Sequence, residues 1–195
     1  CVKLSDCLLN ADGKRAVTKL VDVATQNAKA VLDCDLPDTL KAAGETTVQN
    51  CLSKLLMQTG SVAREHLRAD NALAHMIFDA QSKGNTINLC QIAGTVAQTT
   101  VAGNRIFFGE RTLTCYEHGT RDLQAHGFIQ SNYSEGLLPE EFFFHAMGGR
   151  EGLVDTAVKT ASTGYIQRRQ VKMLEDLKIA YDGTVRNAQD QCLEF

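Results

Sequence analysis

The chain has 195 residues, of which 44% are hydrophobic, 22% are charged and only two are proline. This composition is typical of a folded protein of one domain or two small ones, and it excludes a disordered or collagen-like chain. The net charge of −3 argues, taken as an average, against nucleic acid as a partner, because phosphate binding usually leaves a basic surface.

The sequence also gives expectations about compartment and completeness. No stretch approaches the roughly 18 apolar residues of a membrane span, so we expect no membrane association. Seven scattered cysteines without a C-x-x-C pair favour a reduced, intracellular compartment. Because the chain starts with Cys rather than Met, we expect a piece of a longer protein.

Two successive segments have apolar residues at spacings of three and four, which predicts two amphipathic helices. The first covers residues 12–32 with Asp12 as its cap, and the second runs from Asp38 to Leu56. The Pro-containing turn at 33–38 indicates an antiparallel hairpin. The predicted buried positions are Val17, Leu20, Val21, Ala24, Ala28, Val31 and Leu32, then Leu40, Ala43, Val48, Cys51, Leu52, Leu55 and Leu56.

The middle of the chain has a weaker pattern. Asp70 is a candidate cap for a third helix that ends before residues 82–85. Residues 86–113 indicate a short helix and a Gly-bearing turn, and the polar stretch 115–136 predicts a loop.

From Pro139 to residue 177 no further proline interrupts the sequence, which predicts a long helical stretch. Gly148, Gly149, Gly152 and Gly164 each cost about 1 kcal/mol relative to Ala in a helix interior. Three interpretations stay open: the glycines are mechanical weak points in one helix, they simply allow close packing, or the stretch is two helices.

This stretch carries a local basic island. Lys159, Arg168, Arg169 and Lys172 have no acidic residue between them. At about 100° per residue, Ala161 and Tyr165 share a face with Arg168 and Lys172, and Gly164 and Arg169 lie at its edges. Cations beside an aromatic ring and small residues suit a polynucleotide. The alternative is a solvated basic face with Tyr165 in the core.

One almost unbroken segment resembles the bridge helix of the largest subunit of multisubunit DNA-dependent RNA polymerases. It reads Glu141-Phe-Phe-Phe-His-Ala-Met-Gly-Gly-Arg-Glu-Gly-Leu-Val-Asp-Thr-Ala-Val-Lys-Thr-Ala and continues Ser162-Thr-Gly-Tyr-Ile-Gln-Arg-Arg. Four further segments of the chain resemble the same family: Tyr181-Asp-Gly-Thr-Val-Arg-Asn, Ser82-Lys-Gly-Asn-Thr-Ile-Asn with Gln91, Gly103-Asn-Arg-Ile and Arg111-Thr-Leu.

The resemblance implies a mainly α fold that is part of a larger multidomain subunit. It consists of an elongated helical hairpin, called the funnel, an irregular pore segment and one long glycine-hinged bridge helix. The implied boundaries are 1–69 for the funnel, 70–136 for the pore segment, 137–180 for the bridge helix and 181–195 for the start of the following segment.

Individual roles also follow from the resemblance. Lys83 would approach the triphosphate, where a cation stabilises charge on the leaving pyrophosphate. Gly148, Gly149 and Gly164 match hinge regions associated with translocation. The template-facing residues would be Lys159, Thr160, Ala161, Tyr165, Arg168 and Arg169.

The resemblance implies template-directed RNA synthesis from ribonucleoside triphosphates, with DNA template, RNA–DNA hybrid, and the second-largest and smaller polymerase subunits as partners. The family holds Mg²⁺ with an Asn-Ala-Asp-Phe-Asp-Gly-Asp motif that this sequence lacks. We therefore expect Mg²⁺ and all catalytic residues in other parts of the subunit, and no activity in the isolated chain. The nearest imitation, at 33–38, is better explained as helix termination. The alternative function is a non-catalytic nucleic-acid-binding or structural module derived from a polymerase.

Several positions depart from the family pattern. Arg111-Thr-Leu-Thr-Cys-Tyr replaces Arg-Thr-Leu-Pro-His-Phe, His126-Gly-Phe replaces Arg-Gly-Phe, and Ser162 replaces a glutamate. These changes indicate a divergent lineage, such as a large DNA virus with its own polymerase. The expected location is the nucleus for a cellular enzyme, and host cytoplasm or virion for a viral one.

Three smaller features carry weaker hypotheses. Cys115, His118 and His126 could ligate zinc, although they contain only one close pair. His145 is favoured as a packing histidine over a catalytic base. Three consecutive phenylalanines, 142–144, cannot all point the same way on a helix, so we expect a neighbouring subunit to cover at least one.

Overall fold

The computed structural model describes residues 2–34, 37–68, 70–107 and 113–194. Of the residues that the structure describes, 60% are helical, which confirms the predicted mainly α class. The chain forms two compact units with the boundary between residues 149 and 150, and each unit is described by itself below. Within the described residues, none of the helices combines the length and apolar character that a membrane crossing requires.

The first unit is built on the predicted hairpin, formed by α1, Ala11–Asp33, and α2, Asp38–Glu65. Asn10 caps α1, because its side chain accepts a hydrogen bond from the Gly13 amide at 2.7 Å. The prediction that Asp12 is the cap is wrong: Asp12 lies in the first turn, where its exposed carboxylate is 3.5 Å from Arg15. A carboxylate in a first turn still favours the helix through the helix dipole.

The two helices bury the centre of the predicted stripes. Val17, Val21, Ala24 and Ala28 of α1 are buried, as are Val48, Leu52 and Leu55 of α2. Burial of these side chains supplies the main stabilisation of the hairpin. Two predicted core positions, Leu40 and Ala43, are exposed instead, because they lie in the first turns of α2 next to the hairpin turn.

After the hairpin, Asn71 starts α3, Ala72–Ala74. Its fully buried side chain accepts from the Leu73 amide at 2.9 Å and the Ala74 amide at 3.0 Å, and it donates to the Asp6 carbonyl at 2.8 Å. The prediction of Asp70 as the cap is therefore wrong by one residue. An amide can accept and donate at once, whereas a carboxylate can only accept.

The rest of the first unit consists of short elements. Four short strands form two antiparallel pairs: β1, Ala97–Gln98, pairs with β4, Phe128–Ile129, and β2, Thr100–Val101, pairs with β3, Asn104–Arg105. The predicted loop at 115–136 is confirmed except for one 3₁₀ turn, Gln124–His126, and one buried strand. The other elements are a 3₁₀ turn Leu4–Cys7, a π-helical turn His75–Asp79, α4 Thr86–Leu89 and a π-helical turn Cys90–Gly94.

The predicted long stretch is one continuous helix, α5, Pro139–Leu174. This result decides between the one-helix and two-helix interpretations, since all four glycines lie inside it. Three short strands follow in the second unit: β5 Lys178–Ile179, β6 Val185–Arg186 and β7 Cys192–Glu194. They form an antiparallel sheet in the order β5–β6–β7.

We predict that Leu52→Ala lowers the free energy of unfolding by about 2–5 kcal/mol, because it leaves a cavity between α1 and α2. Leu40→Ala is the matched control, since the same truncation at a side chain that is 50% exposed leaves no cavity. Urea unfolding followed by circular dichroism measures both. Equal losses for the two variants would contradict the assigned core.

Candidate nucleic-acid interface

The predicted template-facing residues all lie on the part of α5 that belongs to the second unit, and all are exposed. Tyr165 is 64% exposed, so the alternative that it is a core residue is wrong within the described chain. Arg169 places its guanidinium carbon 5.7 Å from the centre of the Tyr165 ring, which is within range of a cation–π contact. Ring and cation are therefore presented together on the surface.

Two of the four cations in the basic island form ion pairs with carboxylates. Lys159 is ion-paired with Asp155, and Lys172 Nζ lies 2.8 Å from a Glu175 oxygen. Both carboxylates lie just outside the acid-free stretch, so counting charges within that stretch misses them. Arg168 has no carboxylate partner among the described residues. Exposed pairs contribute only about 0.2–1 kcal/mol, so a phosphate can replace either carboxylate at low cost.

The threonine hydroxyls near the cations form hydrogen bonds within the helix. The hydroxyl of Thr160 donates to the Thr156 carbonyl at 2.8 Å, and that of Thr163 donates to the Lys159 carbonyl at 2.7 Å. Both hydroxyl protons are thus used within the helix, a common arrangement for helical threonine. Thr160 and Ala161 therefore present small side chains, which allow another molecule to approach the helix backbone closely.

The glycines of α5 differ in what surrounds them. A Cβ on Gly148 would lie 2.7 Å from Cγ2 of Thr99 in the first unit, so this glycine permits close packing. A Cβ on Gly149, Gly152 or Gly164 would meet no atom of the described residues within 4 Å. Packing within the described chain therefore explains Gly148 and not the other three.

Lys83 lies in the first unit, in the exposed turn between the π-helical turn His75–Asp79 and α4. Two left-handed residues shape the turn, Gln81 with φ of 47° and Gly84 with φ of 82°. Asn85 and Asn88 close the turn. The side chain of Asn85 accepts a hydrogen bond from the backbone amide of Asn88 at 3.0 Å, and the side chain of Asn88 accepts one from the backbone amide of Asn85 at 2.9 Å. Lys83 has no ion pair within the described ranges, so its ammonium is open to an anion.

A buried carboxylate at the start of α5 is a feature that the sequence reasoning missed. Glu141 is 4% exposed and accepts three backbone hydrogen bonds, from Gln130 at 3.0 Å, Ser131 at 3.3 Å and Leu138 at 3.0 Å. These bonds attach the first turn of α5 to the segment after β4. A signal was available, since a glutamate at the third position of a helix is a known capping pattern.

The phenylalanines beside Glu141 diverge as predicted. Phe144 is 1% exposed, whereas Phe142 and Phe143 are 61% and 43% exposed. His145 contacts a side chain rather than a backbone group, with Nε2 3.1 Å from the Tyr133 hydroxyl. Coverage of the exposed rings by a neighbouring subunit stays a prediction.

The zinc hypothesis is not supported. His126 is buried, and its two ring nitrogens lie 3.0 Å from the carbonyl oxygens of Ile106 and Thr120, so neither is open to a metal. In the part of the chain that the structure describes, no three His, Cys, Asp or Glu side chains come together in a way that could hold a metal ion. Residues 35–36 of the imitation aspartate motif, and Arg111 of the family pattern, lie outside the described residues.

Burial raises the pKa of several groups in the first unit. It raises the pKa of Tyr116 to about 12, with further contributions from Glu140 and Cys115, and it raises the pKa values of Tyr133 and the Cys90 thiol. These three groups are therefore neutral at pH 7, which does not suit a nucleophile or a base.

In the second unit, the turn between β5 and β6 is held by charge. Hydrogen bonds from Thr184, with help from Arg186, lower the pKa of Asp182 to about 2. Arg186 lies 2.5 Å from Asp182 and 3.3 Å from Asp190. A lowered carboxyl pKa means that this contact is complete above the usual carboxyl range and is lost as the pH falls towards 2.

Two family models match the chain. "RNA polymerase Rpb1, domain 4" covers residues 24–129, more than half of the chain, and "RNA polymerase Rpb1, domain 5" covers residues 136–195. The second match includes the whole of α5 and its exposed basic face. The class is thus the largest subunit of multisubunit RNA polymerases.

Relatives with the same assignment occur in archaea and eukaryotes. The "DNA-directed RNA polymerase subunit Rpo1N" of Halococcus morrhuae is 38% identical over 100% of this chain and 58% of its own length. The Rpo1N subunit of Methanocaldococcus jannaschii is 39% identical over 96% of this chain and 15% of its own. "DNA-directed RNA polymerase II subunit RPB1-B" of Trypanosoma brucei brucei is 47% identical over 80% of this chain and 9% of its own.

The chain belongs to the Rpb1 family of RNA polymerase largest subunits. It spans 58% of the length of the Halococcus relative and smaller shares of the other two. The predicted resemblance to the polymerase largest subunit is thereby confirmed, whereas a viral source stays a prediction.

We predict that Glu141→Gln lowers the free energy of unfolding by on the order of 1–3 kcal/mol, because an amide cannot accept at both former oxygen positions. Glu140→Gln is the control, since it removes the same charge from the same helical turn. Hydrogen exchange at Gln130, Ser131 and Leu138 should accelerate only in the first variant. Equal acceleration in both variants would show that the effect is the charge and not the three bonds.

We also predict that Gly148→Ala destabilises the first unit by about 1–3 kcal/mol, because the new methyl group forces Thr99 to move. Gly149→Ala, one residue along the same helix, should cause no loss, because its Cβ meets open space. Thermal unfolding compares the two. A loss for Gly149→Ala as large as that for Gly148→Ala would contradict this assignment.

Proposed function

We propose that this chain is part of a DNA-directed RNA polymerase, a nucleotidyltransferase that carries out transcription from ribonucleoside triphosphates. The observation that carries the proposal is the exposed face of α5, where an aromatic ring and cations lie within the segment that matches Rpb1 domain 5. The Halococcus relative, whose match covers the whole chain and therefore this face, is a DNA-directed RNA polymerase subunit by name.

In this proposal α5 is the bridge helix and its exposed face meets the template strand. Thr160 and Ala161 would abut the template base that pairs with the incoming nucleotide, since small side chains allow that approach. Tyr165 would stack on or support a base, and Arg168 and Arg169 would contact phosphates along the downstream path. Lys159 would exchange its Asp155 partner for a template phosphate.

The glycines Gly149 and Gly164 are proposed as hinges of this helix. Neither is required by packing within the described chain, whereas each weakens the helix by about 1 kcal/mol relative to Ala. Gly148 was also expected to be a hinge, and its close contact with Thr99 gives it a packing role in addition. Bending would therefore start from a fixed point at Gly148.

Lys83 is proposed to contact the triphosphate of the incoming nucleotide. Its ammonium is exposed, and the Asn85–Asn88 pair and the two left-handed residues hold the turn in one shape. A mobile cation at this position would stabilise negative charge as pyrophosphate leaves.

The domain boundaries 1–69, 70–136, 137–180 and 181–195 are kept as part of this proposal. We further propose that the chain works inside the cell in a complex with the second-largest and smaller subunits, DNA template and RNA–DNA hybrid. The metal that the family uses would be bound by other parts of the subunit, because this sequence lacks the family's aspartate motif.

We predict that Lys83→Ala in the assembled enzyme slows nucleotide addition mainly at low triphosphate concentration, because the cation contributes more to binding the triphosphate than to stabilising the charge on the leaving pyrophosphate. Lys19→Ala on the exposed side of α1 is the matched control. Single-nucleotide addition rates over a triphosphate titration measure the effect. Unchanged rates across the titration would remove Lys83 from the site.

The isolated chain is expected to show no template-dependent incorporation, since the carboxylates for catalysis are absent from its sequence. Nucleotide incorporation by the chain alone would contradict the proposal that the catalytic residues lie in other parts of the subunit. The non-catalytic alternative predicts instead that no variant of this chain changes elongation in an assembled polymerase.

A further inference from the structure

An open cavity of about 470 Å³ lies within the first unit, between the end of α2 and the turn that precedes α4. Its volume is in the range of small-molecule sites. The described lining contains neither Lys83 nor any residue of α5, so the proposed template and triphosphate contacts do not use it.

Arg64 supplies the single charged side chain among the described lining residues. It is exposed, and its guanidinium carbon lies 4.3 Å from the centre of the Phe78 ring, which is a cation–π contact. The Arg64 side chain forms neither a hydrogen bond nor an ion pair with another residue in the described ranges. A ring does not replace an oxygen acceptor, so the five N–H donors of this guanidinium are open to a ligand.

The carboxylates nearest in sequence do not neutralise this cation. Glu65 follows Arg64 in α2, and Asp79 follows Phe78, yet neither lines the cavity. Asp79 contacts His75 instead, and within the described chain no carboxylate oxygen lies within ion-pair distance of Arg64. An unpaired cation at the wall of a cavity favours an anionic ligand.

Three uncharged residues add hydrogen-bond donors to the lining. Gln81 and Asn85 have side-chain amides, and Thr86 has a hydroxyl group. The oxygen of the Asn85 side chain accepts from the Asn88 amide, which leaves the NH₂ group available. None of the three side chains donates a hydrogen bond to another residue in the parts of the chain that the structure describes. Arg64 and these donors therefore border one space.

The backbone around the cavity is irregular. Ile77 and Phe78 belong to the π-helical turn His75–Asp79, and π-helical turns are frequent at functional sites. Gln81 has a φ of 47°, a left-handed conformation that glycine adopts at lower cost. Residues held in such sparsely populated conformations cluster at ligand sites. The backbone is therefore consistent with a binding role for this cavity.

We propose that this cavity binds the phosphate group of a small ligand, with Arg64 as the charged contact. Charge-assisted hydrogen bonds from arginine to phosphate are among the stronger polar contacts in proteins. A phosphate has more acceptor oxygens than a carboxylate, so it can accept from Arg64 and from the uncharged donors at the same time. The phosphate belongs to a free polyphosphate or to a nucleotide, which offer the same chemistry. The proposal does not depend on the polymerase function.

Nuclear magnetic resonance titration of the intact chain tests the proposal with pyrophosphate and ADP as probes, at constant ionic strength. Citrate is the control, since it carries a similar charge on carboxylates. We expect pyrophosphate to cause saturable shifts of the backbone amides of residues 81–86, and citrate to bind far more weakly. ADP that binds at least as tightly as pyrophosphate identifies a nucleotide as the source, and weaker binding of ADP identifies the free anion. Absence of saturation with pyrophosphate, or equal binding of citrate, would overturn the proposal.

Arg64→Gln separates the site from general attraction to a positive surface. It should weaken pyrophosphate binding about tenfold while leaving the fold intact, because the residue is exposed and contacts only the Phe78 ring. Lys54→Gln is the matched control: it removes the same charge from an exposed position of the same helix that does not line the cavity. Equal weakening by both variants, or none by Arg64→Gln, would overturn the proposal.

Discussion

Three backbone amides converge on one buried carboxylate, that of Glu141, and this contact determines where α5 begins. A buried charge is tolerated only when hydrogen bonds replace its water, and here they do. Phe144, one turn further along, is the last buried residue of the helix. The first unit thus holds the start of α5, where Gly148 also lies close to Thr99, whereas residues 152–174 are exposed.

A helix that is exposed on all sides is not stable through its own packing, so its remaining surface is available to other molecules. In α5 this surface combines Tyr165 with Arg169, an Arg168 that lacks a carboxylate partner in the described chain, and two lysines in exchangeable ion pairs. The four glycines that weaken this helix lie on the C-terminal side of Glu141 and Phe144. A structure fixed at one end and adaptable along its length fits the proposed movement along a template.

Much of this was predictable from sequence. The hairpin and α5 follow from strong periodicity and from a proline at the first helical position, both of which are local signals. The caps at Asn10 and Asn71 were misplaced by one or two residues, because several capping residues are adjacent and only the backbone geometry selects among them. The capping pattern indicates that Glu141 accepts a hydrogen bond from the Leu138 amide. Its burial and its bonds from Gln130 and Ser131 depend on how the segment after β4 packs, so periodicity could not predict them.

The central claim is that the exposed face of α5 meets template DNA. It is tested most directly by placing a benzophenone photo-crosslinker at Tyr165 in an assembled elongation complex with a labelled template strand. The account predicts crosslinks to the template next to the incoming nucleotide, and far fewer from Thr163, which lies about 160° around the helix. Absence of template crosslinks from position 165, or equal yields from both positions, would contradict it.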